Sequence, residues 1–205
     1  MLSDWFVKSD TPTLREEGIL LRAQRLGDYA QWRAVRLESQ KFLKPFEPRW
    51  TEADLSRTVY KNRLRRSRKE GAAGTDFGFF VFLEEDGAER LVGGITLSNI
   101  RRRVAQHVNL GYWMGVNEAK KGIMTRAVKM VLPYVFNTLN LHRIQAACLP
   151  GNMPSRRVLE KNGFREEGFA ENYLKIDGSW RDHVLYALTY ERYQETSVGV
   201  RRESL

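Results

Sequence analysis

HRIQAACLPGNMPSRRVLEKNGFREEGFAENYLKIDGSWRDHVLYAL, residues 142–188, decides the fold. Its first apolar run, Ile144–Leu149, has strand length and stops at Pro150-Gly151-Asn152, a turn that opens a helix over Asn152–Lys161. Asn152 has the side chain of an N-cap, whose oxygen accepts a backbone N–H of the first turn. A second strand follows over Phe164–Ile176. Asp177-Gly178 is a two-residue hairpin signal, and Trp180–Thr189 is the return strand.

The stretch just upstream repeats the pattern. Leu110-Gly-Tyr-Trp-Met-Gly115 ends a strand over His107–Met114, Lys120-Lys-Gly-Ile-Met124 makes a short basic glycine turn, and helical spacing runs over Lys121–Thr138. Pro133 inside that helix predicts a bend or an earlier end. With a helix between them, the strands at 107–114 and 142–149 must run parallel. Two helix N-termini then lie side by side, each with unpaired N–H groups, an arrangement suited to a phosphorylated carrier with a long thin arm.

Further upstream come a short strand at Gly18–Arg22 and a helix from Leu26 to about Gln40. The loop at Lys41–Trp50 is broken by two prolines, and Thr51–Asp54 resembles a capping box opening a second helix that ends in the basic run Arg63–Lys69. Strands at Phe77–Glu84 and Leu91–Ser98 complete a meander with 107–114, with turns at Glu84–Gly87 and Ile100–Arg103. Residues 1–17 read as an N-terminal arm, 18–193 as one domain and 194–205 as a polar C-terminal tail. The expected class is α+β (mixed α/β), a single mixed sheet flanked by helices.

At 205 residues, 42% hydrophobic and 29% charged, the chain suits one well-buried soluble domain. No apolar stretch reaches membrane-spanning length, and MLSDWFVKSD lacks the pattern of a signal peptide, so cytoplasm is the expectation. Cys148 alone forms no internal disulfide, reads as a small buried strand residue, and with three scattered His gives no metal-ligand spacing. The net charge of +9 favours polyanionic surroundings such as nucleic acid, the ribosome or a phosphate-rich cofactor, although many basic proteins bind none of these. The run 63–69 reads either as a nucleic-acid contact or as a solvated helix end.

Ala119-Lys-Lys-Gly-Ile-Met124, Asn152-Met-Pro-Ser155 with Gly163-Phe164, and Tyr173–His183 together resemble the GCN5-related N-acetyltransferase (GNAT) family. The last signature, with Phe42–Pro48, resembles its RimJ/RimL branch, which acetylates N-termini of ribosomal proteins. The likeness spans about Gly18 to Tyr193. It implies the acyl-CoA N-acyltransferase fold, acetyl-CoA as co-substrate and no metal. It also implies a ribosomal-protein N-terminus as acceptor, on the ribosome or an assembly intermediate, with the oligomer open between monomer and weak dimer. Ala119 stands where the family has Gln or Arg, and Met124 where it has Gly or Ala. Leu159 replaces a tyrosine that serves many members as proton donor, and Ser155, one turn earlier, is where RimL-like members place a hydroxyl.

The resemblance therefore assigns catalysis to Ser155, Glu47 and Tyr112. It assigns cofactor binding to Trp113, Met114, Lys120, Lys121, Gly122, Met124, Thr125, Asn152, Ser155 and Lys161. Each has a plainer alternative: Asn152 and Ser155 as capping residues, Lys161 as a helix-end cation, Tyr112 and Trp113 as groove wall. Glu47, Glu171, Asp182 and His183 are candidates for a base. Transfer is expected to be direct, with backbone N–H groups of Tyr112–Met114 stabilising the oxyanion and Ser155 protonating the thiolate. An α-amine of pKa about 7.8 is roughly one-seventh neutral at pH 7, and a lysine near 10.4 below about 0.1%, which favours an N-terminal acceptor. The rivals are a small-molecule amine, which a basic protein attracts poorly if polycationic, and an RNA-contacting assembly factor with a secondary acetyl-CoA site.

Overall fold

The computed structural model describes residues 11–202, with side chains through Thr196. Eight strands form one sheet: β1 (Leu14–Glu16), β2 (Ile19–Ala23), β3 (Phe77–Glu85), β4 (Ala88–Arg101), β5 (His107–Met114), β6 (Arg143–Cys148), β7 (Arg165–Ile176) and β8 (Ser179–Thr189). Their spatial order is β1-β2-β3-β4-β5-β6-β8-β7. Only β5 and β6 pair in parallel, as the intervening helix requires.

Both faces of the sheet are covered, so its central strands carry apolar residues at successive positions. Phe77, Phe79 and Val81 of β3 face α4 (Ile123–Pro133) and α5 (Met153–Lys161), in a core with Val128, Val131, Ile144 and Leu159. Phe80 and Phe82 face the other way, with Trp32 of α1 (Tyr29–Glu38) and Tyr60 and Leu64 of α3 (Arg57–Ala72). Each such phenylalanine, fully buried, contributes about 1.5–3 kcal/mol. Buried Arg22 joins the sheet to the start of α1, holding Asp28 at 2.8 Å and Glu89 at 2.8 Å.

Several expectations need correction. Leu14–Glu16, expected in the arm, pairs with β2 as an edge strand; residues 1–10 lie outside the described chain. The tail expected from 194 is helical to Arg202 in α6 (Tyr190–Arg202), anchored where Tyr193 stacks on Phe136 with ring centroids 4.7 Å apart. The loop after α1 holds short helical turns over α2 (Gln40–Leu43) and Lys44–Phe46, because Pro45 takes an early helical position that needs no N–H. The Thr51–Asp54 box closes a 3-10 turn, and Ser56 caps α3 instead. α4 starts at Ile123 rather than Lys121, since Gly122 is left-handed, and it becomes a π-turn at Tyr134–Thr138 directly after Pro133. Asp177 (φ 44) and Gly178 (φ 85) form the expected hairpin turn.

One irregularity creates the site. The β5–β6 ladder consists of His107↔Arg143, Val108↔Ile144 and Asn109↔Gln145, and goes no further. Beyond it β5 stays with β4 up to Met114, while β6 stays with β8 up to Cys148. The two strands splay. Backbone groups of Leu110–Met114 on the β6 side are left without a strand partner.

Candidate active site

A cleft of about 540 Å³ occupies the splay. Alternation along the strands divides it into two walls. Even-numbered residues Tyr112 and Cys148 face α4 and α5; odd-numbered Trp113 and His183 face the α1–α2 side.

The first wall is built from two helix starts. Before α4 the chain turns through Lys120 (φ 66) and Gly122 (φ 80), both of which line the cleft, a kind of turn that can gather successive backbone N–H groups for an anion. Lys120 is one of nine non-glycine residues in the left-handed region among the described residues, and its turn sets the entry to α4. A Cβ on Gly122 would meet nothing within 4 Å, so the space before the helix end is open to a ligand. Lys120 and Lys161 line the cleft, joined by Arg157, which sequence reading missed. Lys121 instead pairs with Glu118 at 3.0 Å and is absent from the lining. Met124 sends its side chain into the core, which leaves its backbone N–H as the group it can offer a phosphate. Half-buried Thr125 also borders the cleft.

At α5 the Asn152 side chain accepts the Ser155 N–H at 3.3 Å, the expected cap. Ser155 Oγ lies 2.8 Å from the Tyr112 hydroxyl, which also donates to the Ser155 carbonyl at 3.1 Å. Burial holds the Tyr112 phenol well above its ordinary pKa, so it stays protonated and can donate. Burial likewise pushes the Cys148 thiol up to about 11, despite a hydrogen bond from Ser155. Leu159, one turn after Ser155, packs into the core at the floor of the cleft and offers no polar group, whereas Ser155 brings a hydroxyl to it.

The second wall is built from side chains that meet from distant segments. Arg36 is buried and grips Glu47 with two hydrogen bonds, of 2.7 and 2.5 Å, and Trp50 Nε1 donates to the same carboxylate at 2.9 Å. The Arg36 guanidinium lies over the rings of Trp50 (4.6 Å) and Trp113 (5.0 Å). Trp113 can lie against β4 because Gly94 lacks a side chain; a Cβ there would sit 2.6 Å from the indole nitrogen. The Glu47 carbonyl accepts the Asp177 N–H at 2.9 Å, and Arg49 donates to the Asp177 carbonyl at 2.9 Å, tying the β7–β8 hairpin to this loop. Glu47 thus reaches the cleft, but with both oxygens engaged by cations and donors it is not a free base. Asp182 accepts the Asn172 N–H, and Glu171 is exposed on β7. Phe46 and Trp180 continue this wall into an adjoining hollow.

The basic run 63–69 lies inside α3, not at its end. Leu64 is in the core, Arg63 sits over the Trp32 ring at 5.9 Å and Arg66 pairs with Glu70. Among the described residues no cluster of three or more His, Cys, Asp or Glu could hold a metal, and no helix is long and apolar enough to cross a membrane.

A splayed parallel pair, a left-handed glycine turn before one helix and a capped serine turn before the next define an acyl-CoA-dependent transferase fold. Residues 19–165 match the family described as acetyltransferase (GNAT) domain, and the chain belongs to that family. It is 34% identical to the [ribosomal protein uS5]-alanine N-acetyltransferase of Escherichia coli over 184 residues, 89% of this chain and 94% of that one. It is 33% identical to the probable N-acetyltransferase YjcK of Bacillus subtilis, over 89% of this chain and 92% of that one. Among solved structures, Mycobacterium smegmatis RimJ in complex with CoA-disulfide superposes with a TM-score of 0.80 at 34% identity, covering 92% of this chain and 93% of that one. The chain is an acetyl-CoA-dependent N-acetyltransferase, and acetyl-CoA is its co-substrate.

Proposed function

We propose that this enzyme acetylates the N-terminal α-amine of a ribosomal protein, alanine being the expected first residue, in the bacterial cytoplasm. One observation carries the reading: the 34% identity with the uS5-alanine enzyme extends over 89% of this chain, so it takes in the 42–50 loop and the β7–β8 hairpin that bound the acceptor wall. The half-open hollow lined by Phe46, Asn172 and Trp180 next to the cleft admits a chain end better than it encloses a small molecule.

In this reading the turn at Lys120–Thr125 and the start of α5 hold the phosphates and the arm of acetyl-CoA. Unpaired N–H groups on the β6 side of Tyr112–Met114 receive the thioester oxygen as it gains charge. The Ser155 hydroxyl, backed by Tyr112, hydrogen-bonds the sulfur as it leaves. Acetyl-CoA supplies the activated acyl group; the protein supplies position and dipoles.

The test is mass spectrometry of ribosomal-protein N-termini from cells with and without the gene, followed by assay of the purified enzyme on the matching peptide. The expected result is loss of one N-terminal acetyl group in the deletion strain. Identical N-termini in both strains would remove the ribosomal acceptor and leave the acetyltransferase in need of another amine.

A further inference from the structure

We propose that His183 is the general base of the transfer, taking the proton from the acceptor amine through Nε2; this rests on the reading that the acceptor is an amine. His183 is 3% exposed yet lines the cleft. Its Nδ1 lies 2.9 Å from the Arg181 carbonyl. A carbonyl can only accept, so Nδ1 carries a proton, and in the neutral tautomer this fixes, Nε2 is the lone pair. No hydrogen bond to Nε2 occurs among the described residues. The Tyr173 ring, edge-on at 5.8 Å, covers one side of the imidazole and limits its rotation.

Position on the sheet supports the assignment. Register places Cys148 opposite Val184, both turned towards α4 and α5, so the adjacent His183 turns to the other wall. The Tyr112–Ser155 pair thus faces the cleft from one side and His183 from the other. An enzyme that moves a proton off nitrogen while charge collects on sulfur requires such a separation. Glu47, the other group of suitable chemistry on this wall, is already held by Arg36 and Trp50. The amine nitrogen bonds to the acyl carbon as its proton passes to Nε2. The carbon–sulfur bond then breaks, CoA leaves as a thiolate hydrogen-bonded by Ser155, and water protonates it while His183 returns its proton to solvent. The titratable and charged groups that adjoin the imidazole or share its cleft are Arg181 and Asp182 on its own strand, Tyr173 on β7, Cys148 across the cleft on β6 and Glu47 on the loop after α2.

The experiment compares wild type, His183→Gln, His183→Ala and Glu47→Gln, measuring CoA release with an alanine-initiated peptide from pH 5.5 to 9. Expected for His183→Gln are a fall in kcat of roughly 100-fold or more, an acetyl-CoA KM within about twofold, and loss of the acidic limb of the rate profile. Glu47→Gln keeps that limb. Added imidazole restores His183→Ala at least about tenfold. A His183→Gln kcat within threefold of wild type overturns the proposal. So does a loss that imidazole does not rescue and that comes with an equal loss of acetyl-CoA affinity or of melting temperature, which marks a packing residue. Failure of the N-terminal reading shows separately, as no wild-type turnover on N-terminal peptides. The variants are then compared on whichever primary amine the wild type accepts.

Discussion

The two walls of the cleft are made in opposite ways. The wall beneath α4 and α5 is made largely of backbone, from a left-handed turn at Lys120–Gly122 and a capped turn at Asn152–Ser155, each formed by residues adjacent in sequence. The opposite wall is made of side chains from α1, the loop at 44–50, β5 and β8. They are held by contacts such as Arg36–Glu47 and the Asp177–Glu47 backbone bond, the latter 130 residues apart in sequence (177 − 47). The difference teaches where each kind of specificity can reside. On the proposed reading, a carrier common to a whole family is held by local turns, whereas the acceptor is met by a surface that long-range contacts must assemble.

That asymmetry predicts how substitutions behave. Arg36→Met strikes the assembled wall and carries the largest expected effect. Removing one partner leaves the half-buried Glu47 carboxylate without its cation and strips the stacking from Trp50 and Trp113, a loss of about 3–5 kcal/mol of stability. The check is chemical denaturation, and the double variant Arg36→Met with Glu47→Leu should recover much of the loss. Equal stability of wild type and Arg36→Met would mean that the pair does not hold the wall.

Ser155→Ala strikes the local wall at its chemistry. It should lower kcat by about 100-fold with acetyl-CoA affinity within about twofold, since in the proposed mechanism the lost hydroxyl acts on the leaving sulfur while the Asn152 cap to the backbone N–H survives. Unchanged kcat would take Ser155 out of the mechanism. Tightly bound acetyl-CoA in calorimetry alongside slow turnover is the expected pattern.

Much of this was legible in advance, and the limits have physical causes. The Pro150–Asn152 turn, the Asp177-Gly178 hairpin and the parallel β5–β6 pair follow from local rules of dihedral freedom and chain length, and all three hold. The Asn152 cap and the Ser155 position were equally local. Arg36 was not legible: it is one of two arginines in the first helix, and nothing in its neighbours marks it as the buried partner of Glu47. An adjacent lysine pair does not reveal in sequence which side chain will find Glu118, and here it is Lys121. α6 escaped because its polar sequence is stabilised by tertiary contact of Tyr190 and Tyr193 with Phe136 rather than by its own periodicity.

Gly122→Val tests whether the carrier wall is indeed a backbone device. Valine at φ 80 is strained by roughly 1–2 kcal/mol, and its branched Cβ would also occupy space that is open beside the glycine. Acetyl-CoA affinity should fall about tenfold, with the peptide KM and the limiting kcat largely kept, because the turn touches neither the acceptor nor the hydroxyl pair. Initial-rate kinetics with both substrates varied separate these terms. A fall in kcat with unchanged acetyl-CoA KM would mean that the turn shapes the reacting centre. The two walls would then be coupled rather than independent.

Trp180→Ala carries the smallest effect and is the sharpest probe of the acceptor side. Trp180 is 61% exposed beside Phe46 at the hollow, so its loss costs the fold little, within about 0.5 kcal/mol. A bound peptide would cover the ring, and losing that contact should raise the peptide KM by about three- to tenfold, roughly 0.7–1.4 kcal/mol. The acetyl-CoA KM should not move. A change confined to acetyl-CoA would place the peptide elsewhere. A change in peptide KM alone ties the hairpin to acceptor choice, and it explains why the hairpin tip is bonded to the loop that carries Glu47.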